Sequence, residues 1–298
     1  MTLPTTRVSF PGGAVTGEST VLAVHVLADG RYGVVTAESP FHPLDHTWPD
    51  QPADTGTLTV ADGASLPVVD CLTGAVGPEG GELLVGADIP VRRGDEAWSW
   101  LVLHVLDAAP QEDLTGRTVT LAVDTERRTA LSASHTGCHL LALALNAALA
   151  ARWRKDPGRA DAFGNPDFDS LAMASSVMDT EASTDVYRLG KSLRKKGFTT
   201  EAADDLPALA EALPAITADV NERLAAWVAG DAPVRIEVPG PELTARRRWH
   251  CELPIGPAEI ACGGTHLHRL GQLSALRTEL TLSEDGGELT AVTRPQQA

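Results

Sequence analysis

One stretch of the chain, from Ser132 to Lys155, constrains the fold more than any other because it reads as a single buried helix. Its apolar residues recur at the i, i+3 and i+4 spacing of one helical face, and no proline interrupts them. Ser132 or Ser134 is predicted to cap its start, and Pro157 follows a basic last turn and stops it. The rest of the chain is expected to be arranged around this helix.

Near the start of this helix, His135 and His139 lie four residues apart, so their imidazoles fall on one face about one turn from each other. That spacing suits two metal ligands. Alone it is a weak signal, because a second pair with the same spacing, His42 and His46, lies in a proline-rich stretch where no helix is expected. Two hydrogen-bonded helix histidines are the simpler alternative.

A second motif, Cys262-Gly-Gly-Thr-His266, favours the metal interpretation. Thiolate and imidazole are both zinc ligands, and the paired glycines permit a tight turn with close approach of the backbone. Two histidines from a helix with a cysteine and a histidine from a turn make a zinc-type ligand set. Three protein ligands with a water would form a catalytic site and four would form a structural one; both remain open at this stage.

The order and separation of these two motifs resemble the editing domain of alanyl-tRNA synthetase and its free-standing relatives, the alanyl-tRNA editing proteins of AlaX type. A related domain occurs in threonyl-tRNA synthetase. The resemblance extends over about residues 20 to 283. Further stretches similar to the family pattern are Phe41, Pro43, Gln51-Pro-Ala-Asp-Thr-Gly56, Asp124-Thr-Glu-Arg-Arg128, Val220-Asn-Glu-Arg and Pro233-Val-Arg-Ile-Glu237.

The resemblance implies a metal-dependent hydrolase of translation fidelity, a deacylase that cleaves the ester of mischarged aminoacyl-tRNA. One Zn²⁺ would be bound by His135, His139, Cys262 and His266, which would form the catalytic site. The implied substrate carries a seryl or threonyl-like group. Two other functions remain open: a non-catalytic, zinc-stapled module that binds tRNA or protein, and hydrolysis of a small ester or amide without tRNA.

Three residues are expected to contact the aminoacyl group. Thr136 matches the family position whose hydroxyl recognises the hydroxyl of misattached serine, although it could simply be a helix residue. Gln51 matches a family glutamine that faces the editing pocket. Gly137, in the first turn of the predicted helix, is expected to leave room for the substrate, since glycine is unfavourable there by about 1 kcal/mol relative to alanine.

The loop before Gln51 departs from the family pattern, because it has about three extra residues and Pro49-Asp50 in place of Gly-Gly. His42, His46 and Trp48 in this loop either line the substrate pocket or belong to an ordinary surface loop. The departure puts the identity of the amino acid in question more than the chemistry. Fluorothreonyl-tRNA is one specialised substrate that it leaves open.

Charge argues against generic nucleic-acid binding, because the chain carries a formal net charge of -16 and phosphate affinity comes mainly from Lys and Arg. Basic residues nevertheless cluster, and Lys191, Arg194 and Lys195 are predicted to contact tRNA phosphates. The alternative is a solvated basic face.

The chain is predicted to have two domains and an α+β fold. Short β-rich runs separated by turn signals predict a small β-barrel domain over residues 1–115, with hairpin turns at Asp29-Gly30 and Asp62-Gly63. Residues 116–298 are predicted to form the metal-binding α+β editing domain, with a largely antiparallel sheet and the zinc-binding helix. One or two further helices are expected from Asp205 to about Ala229, and residues 294–298 are expected to fray.

Cysteine usage favours the reducing cytoplasm, because four scattered cysteines give no disulfide framework. The start of the sequence lacks the charged and apolar regions of a secretion signal. The longest apolar run is too short to span a bilayer, so no membrane partner is expected.

Overall fold

The structure, a computed structural model, describes residues 3–61, 63–203 and 206–298. Within these residues the protein has a mixed α+β fold, as predicted. The helices are α1 Thr125–Ala148, α2 Phe168–Ala172, α3 Lys191–Lys195 and α4 Leu209–Ala229. The strands are β1 Arg7–Val8, β2 Thr16–Val26, β3 Tyr32–Thr36, β4 Glu38–Ser39, β5 Gly56–Val60, β6 Ser65–Val68, β7 Asp70–Val76, β8 Leu84–Val85, β9 Ser99–Leu106, β10 Thr118–Val123, β11 Met173–Met178, β12 Ser183–Arg188, β13 Val234–Glu237, β14 Arg248–Leu253, β15 Gly256–Ala261, β16 Leu273–Leu282 and β17 Glu288–Gln297.

The chain divides into two compact units, each built from several segments. Unit 1 comprises Met1–Thr129, Ile236–Arg248 and Ala261–Thr265. Unit 2 comprises Ala130–Arg235, Trp249–Ile260 and His266–Ala298. The predicted division into residues 1–115 and 116–298 stays a prediction.

Unit 1 is built on a curled antiparallel sheet with the strand order β6-β5-β10-β2-β3-β9-β7-β8. The sheet curls because one segment of the chain is bent. In this segment only Val69 separates β6 from β7, and the N–H of Val69 donates to the carbonyl of Val105 in β9 at 2.9 Å. The first half of this segment pairs with β5 and the second half with β9. The inner face is filled by apolar side chains that are almost fully buried, including Leu58, Trp100 and Leu121.

One of the two predicted hairpin turns of unit 1 is confirmed. The N–H of Arg31 donates to Asp29 Oδ1 at 3.0 Å, and Gly30 has a φ of 87°, which glycine adopts without strain. This turn joins the antiparallel strands β2 and β3. At the second turn, Asp62 lies outside the described residues.

The start of α1 differs from the prediction. The helix begins at Thr125, because Asp124 Oδ1 accepts hydrogen bonds from the N–H groups of Glu126 and Arg127, both at 3.1 Å. Ser132 and Ser134, the predicted caps, are buried inside the helix instead. α1 ends at Ala148, and a short 3-10 turn follows it.

Unit 2 contains an antiparallel sheet with the strand order β11-β12-β17-β16. Helix α4 packs on β16, where the Asn221 side chain exchanges two hydrogen bonds of 2.8 Å with the backbone of Thr278. The expectation of a frayed end was wrong, because β17 runs to Gln297 and pairs there with Leu273. The helical prediction from Asp205 to about Ala229 corresponds to α4. Its first residue, Asp205, lies outside the described residues.

Strands β13, β14 and β15 form a further sheet in that order. Among the described residues, none of the helices combines the length and the apolar character needed to cross a membrane.

Candidate metal centre

The four predicted metal ligands come together. The candidate ligand atoms of His135, His139, Cys262 and His266 all lie within 4.8 Å of one another. In a tetrahedral zinc site with bonds of about 2.1 Å, ligand atoms are about 3.4 Å apart. Small side-chain rotations are therefore enough to close this group around one ion.

Ring packing holds the three imidazoles in place. The ring centroid of His135 lies 4.9 Å from that of His139 and 4.3 Å from that of His266. The edge of His139 packs on Trp249, with 5.3 Å between ring centroids, and Trp249 is fully buried. Trp249 was not predicted as a site residue, and its only sequence signal is its position in a β-rich run. It forms an apolar wall beside the imidazoles.

The chemistry of the group fits zinc. Nε2 of His139 is buried and has no hydrogen-bond partner among the described residues, as expected for a nitrogen whose partner is a metal ion. Burial lowers the pKa of His139 to about 4, so the imidazole is neutral, which is the form that binds metals. Burial raises the pKa of the Cys262 thiol to about 12 in the metal-free protein, so binding would displace its proton.

The Cys262 loop also has the short contacts expected of a ligand turn. The N–H of Gly264 points to the Cys262 sulfur at 3.5 Å, a contact that opposes the effect of burial and favours the thiolate. A Cβ placed on Gly263 would lie 3.9 Å from Nη1 of Arg93. This is an ordinary van der Waals distance, so packing does not require glycine at position 263.

Thr136 contacts the metal group through its hydroxyl. Its Oγ1 accepts a hydrogen bond from the N–H of Leu267 at 3.1 Å and lies 3.3 Å from Nδ1 of His266. If Nδ1 donates, both lone pairs of the hydroxyl are used, and its proton remains for a substrate oxygen. Thr136 therefore orients His266, which was not expected from the sequence, while its predicted role in reading a substrate hydroxyl stays a prediction.

Gly137 faces strand β16. A Cβ at this position would lie 2.9 Å from Cδ1 of Leu276, which is closer than packed atoms come. This contact gives a packing reason for glycine. The predicted role of Gly137 in making room for the aminoacyl group stays a prediction.

Gln51 is buried and clamps the Cys262 loop. Its Nε2 donates to Thr265 Oγ1 at 2.8 Å, and its Oε1 accepts from the N–H of Thr265 at 3.0 Å. Both ends of the amide therefore hold the residue that precedes the candidate ligand His266. Contact between Gln51 and a substrate stays a prediction.

The other predicted pocket residues lie in different environments. His42 is buried against the ring of Phe10 at 5.0 Å, and burial lowers its pKa to about 4. His46 is stacked on Trp100 at 5.7 Å. Trp48 is 45% exposed. Their predicted contact with the substrate remains to be tested.

A buried ion pair that the sequence did not assign fixes the loop that carries Gln51. Arg128 in α1 is 6% exposed, and its Nε donates to Oδ1 of the fully buried Asp54 at 2.8 Å. Asp54 also accepts the N–H of His42. The two residues occur in the motifs that carried the family resemblance, but only the fold shows that they pair.

The remaining candidates are on the surface or outside the metal group. Lys191, Arg194 and Lys195, here called the α3 cations, are exposed on their short helix. Cys138 is directed at Asp185 Oδ1, 3.6 Å from its sulfur, and is not part of the metal group. His268 is exposed and is not part of it either.

Comparison with known proteins gives a distant similarity. No family profile matches the chain. Alanine–tRNA ligase of Pyrobaculum neutrophilum is 26% identical over 257 residues, a region that covers 84% of this chain. The chain spans about a fifth of the length of that curated relative, since the similarity covers 22% of it. This agrees with the resemblance to the editing domain at the level of a superfamily.

Proposed function

We propose that this protein is a zinc-dependent deacylase that hydrolyses the ester of mischarged aminoacyl-tRNA with a seryl or threonyl-like group. The observation that carries the proposal is the convergence of the ligand atoms of His135, His139, Cys262 and His266 within 4.8 Å. The distant similarity to an alanine–tRNA ligase supports a tRNA-related role. Fluorothreonyl-tRNA is included among the candidate substrates because the loop before Gln51 departs from the family pattern.

The residues of the site have separable tasks in this proposal. The four ligands would hold the zinc ion, which supplies polarisation of the ester carbonyl and activation of water near neutral pH. Thr136 keeps the ring of His266 oriented, and Gln51 holds Thr265 in place. Trp249 keeps bulk water from one side of the imidazoles. The α3 cations would contact the tRNA backbone, so that an acidic protein can hold a polyanion locally.

A second function has one observation in its favour. A zinc ion bound by four protein side chains is usually structural, and the structure brings four candidate ligands together. The alternative is therefore a non-catalytic module that binds tRNA through a zinc-stapled loop. Catalysis would require that one of the four ligands give up its position to water or substrate.

Deacylation of a panel of mischarged tRNAs distinguishes the two functions. The panel contains seryl, threonyl, fluorothreonyl and alanyl groups, and it is tested with the wild type, His139→Ala and His268→Ala. His268→Ala is the matched control because this exposed histidine lies two residues beyond His266 and outside the metal group. We expect hydrolysis by the wild type and the control, and its loss in His139→Ala. Binding of tRNA with no hydrolysis of any member would leave only the non-catalytic module.

Hydrolysis of a small ester is tested in the same assay. Free aminoacyl esters are compared with the corresponding aminoacyl-tRNA at equal concentration. The proposal requires that the tRNA ester be the better substrate, since the tRNA body adds binding energy. Equal rates on both would indicate an esterase that does not recognise tRNA.

A further inference from the structure

We propose that Arg93 and Arg247 form a phosphate-binding site beside the Cys262 loop, and that this site takes the 5′-phosphate of the terminal nucleotide of the aminoacyl-tRNA. The inference rests on the proposed function and deepens it, because it names the group of the tRNA that is bound next to this loop. All the residues that carry the inference belong to unit 1.

The two guanidinium groups lie close together because they share one acceptor. Nη2 of Arg93 donates to the carbonyl of Leu243 at 3.3 Å, and Nη1 of Arg247 donates to the same carbonyl at 3.1 Å. The two nitrogens are therefore no further apart than the sum of these distances. Two positive charges at such a separation repel each other, and an anion bound to them would offset this repulsion.

Arg247 is a buried charge without a counter-ion. It is 4% exposed, its Nη2 donates to the carbonyl of Glu242 at 2.7 Å, and its guanidinium carbon lies 5.6 Å from the ring centroid of Phe10. Its Nε has no hydrogen-bond partner, and the residue forms no ion pair with the part of the chain that the structure describes. Burial lowers the pKa of Arg247 to about 10; the charge of Arg93 adds to this shift and that of Glu242 opposes it. Because buried charges in proteins are normally paired, we expect an anion beside this one.

Arg93 is the part of the site that a ligand can reach, since its side chain is 26% exposed. Its Nε lies 3.3 Å from Oδ2 of Asp45, and its Nη2 is used by the carbonyl of Leu243. Nη1 forms no hydrogen bond with any residue that the structure describes. This nitrogen can therefore donate to a phosphate oxygen without breaking an existing contact.

Two contacts place the arginine pair beside the Cys262 loop. A Cβ on Gly263 would lie 3.9 Å from Nη1 of Arg93, so the donor that a phosphate would use is next to the loop backbone. The carbonyl of Arg247 accepts the N–H of Cys262 at 3.2 Å, so the second arginine is tied to the candidate thiolate ligand itself. A phosphate bound here would lie near the loop that supplies Cys262.

The chemistry of the proposed substrate puts a phosphate in this neighbourhood. In an aminoacyl-tRNA the ester oxygen and the 5′-phosphate of the terminal nucleotide are attached to the same ribose. A protein that holds the ester at the metal group therefore holds this phosphate close by. Guanidinium groups are suited to phosphate because their charge is permanent and their donors match its oxygens. In a chain with a net charge of -16, a local pair of arginines is where such a phosphate would be attracted.

This arrangement predicts that the 5′-phosphate alone improves a minimal substrate. One aminoacyl group of the panel is attached to adenosine and to adenosine 5′-monophosphate, which differ only in that phosphate. A hydrogen bond to a charged group changes binding by about 10-fold to 100-fold. We expect kcat/KM of the zinc-loaded wild type to be higher by about this factor for the ester that carries the phosphate. Arg93→Gln should lose this preference, and Arg92→Gln, which changes the exposed neighbouring arginine, should keep it.

A binding measurement tests the same site without catalysis. Adenosine 5′-monophosphate and adenosine are titrated into each protein by calorimetry at constant ionic strength. The wild type and Arg92→Gln should bind the nucleotide about 10-fold to 100-fold more tightly than the nucleoside, and Arg93→Gln should bind both alike. Arg247→Met should also reduce the preference. Because this variant loses bonds to two carbonyls as well, circular dichroism checks its fold, and Arg93→Gln decides the test if it does not fold.

The outcomes separate this inference from the proposed function. If the wild type hydrolyses the panel but the phosphate changes neither kcat/KM nor binding, or if Arg92→Gln loses the preference as Arg93→Gln does, the phosphate site is wrong and the deacylase remains. If the wild type hydrolyses no member of the panel but binds the nucleotide through Arg93, the proposed function fails and the phosphate site stands. A preference in both measurements that only the arginines of the site carry supports both.

Discussion

Replacing Arg128 by methionine should lower the free energy of unfolding by about 3–5 kcal/mol. Arg128 is 6% exposed and Asp54 is fully buried, so neither charge can be hydrated in the folded state. The guanidinium also donates to the carbonyls of Pro40 at 2.8 Å and Ala14 at 3.3 Å. Methionine fills much of the volume but leaves the Asp54 carboxylate buried without its cation.

The magnitude follows from what is left unpaired. Replacing a buried ion pair with apolar residues of similar size is often neutral, whereas removal of one partner costs several kcal/mol because the other charge stays buried. The double variant Arg128→Met/Asp54→Leu should therefore recover part of the loss, since the N–H of His42 and the carbonyls of Pro40 and Ala14 still lose their partners. Arg127→Met is the matched control, because Arg127 only contacts the carbonyl of Ala53 through two donors at 3.4 Å. This control should lose less than about 1 kcal/mol.

Urea unfolding followed by circular dichroism measures these differences from the shift of the midpoint, provided that the slope is unchanged. For a unit of this size, each kcal/mol corresponds to about 2–4 °C in the melting temperature, which gives an independent estimate. A loss below about 1 kcal/mol in Arg128→Met, or an equal loss in Arg127→Met, would show that the pair does not hold this loop.

Three further predictions concern the metal, the pH dependence and the tRNA. Thr136→Val should weaken zinc binding by about 10-fold to 100-fold in a competition with a chelator, because the orienting partner of a ligand histidine is lost; unchanged affinity would contradict that role. Burial raises the pKa of Asp169 to about 7, so the folded state binds its proton more tightly than the unfolded chain does, and this group's contribution to stability falls as pH rises from about 4 to about 7. Asp169→Asn should therefore raise the melting temperature at pH 8 relative to the wild type and reduce the difference between pH 5 and pH 8; an identical pH profile would refute this. Reversing the charge of the α3 cations should weaken deacylation and reduce its dependence on salt, and an unchanged salt slope would remove these residues from the tRNA contact.

The candidate metal ligands could be predicted from the sequence because each motif is local. The spacing of His135 and His139 follows from helical geometry alone, and Cys262-Gly-Gly-Thr-His266 is a contiguous turn. Short β-rich runs separated by turn signals likewise predicted strands of the curled sheet, since strand composition and turn residues are local features of the sequence. The confirmed parts of the prediction are therefore those in which short-range pattern and final structure agree.

Long-range pairings could not be predicted in this way. The start of α1 was placed seven residues too late because serines inside a buried helix were read as caps, whereas Asp124 caps it. Residues 294–298 were expected to fray because they end the sequence, but the length of β16 lets β17 continue its pairing as far as Gln297. Contacts such as that of Thr136 with His266 join residues that are 130 positions apart, and no spacing rule reaches that far.

The loop that carries Gln51 shows how such contacts limit where selectivity can evolve. One end is held by Asp54, which pairs with Arg128 and accepts the N–H of His42. Toward its middle, the loop is held by Gln51 through both ends of its amide. A substitution at either anchor would disturb the loop as a whole, so the side chains between positions 45 and 50 are the ones that can change while the anchors stay. One methyl-sized difference in a pocket changes selectivity by about 1–3 kcal/mol. If the protein is the proposed deacylase, substitutions between positions 45 and 50 should therefore change its preference between related acyl groups, and those at the anchors should lower activity on all of them.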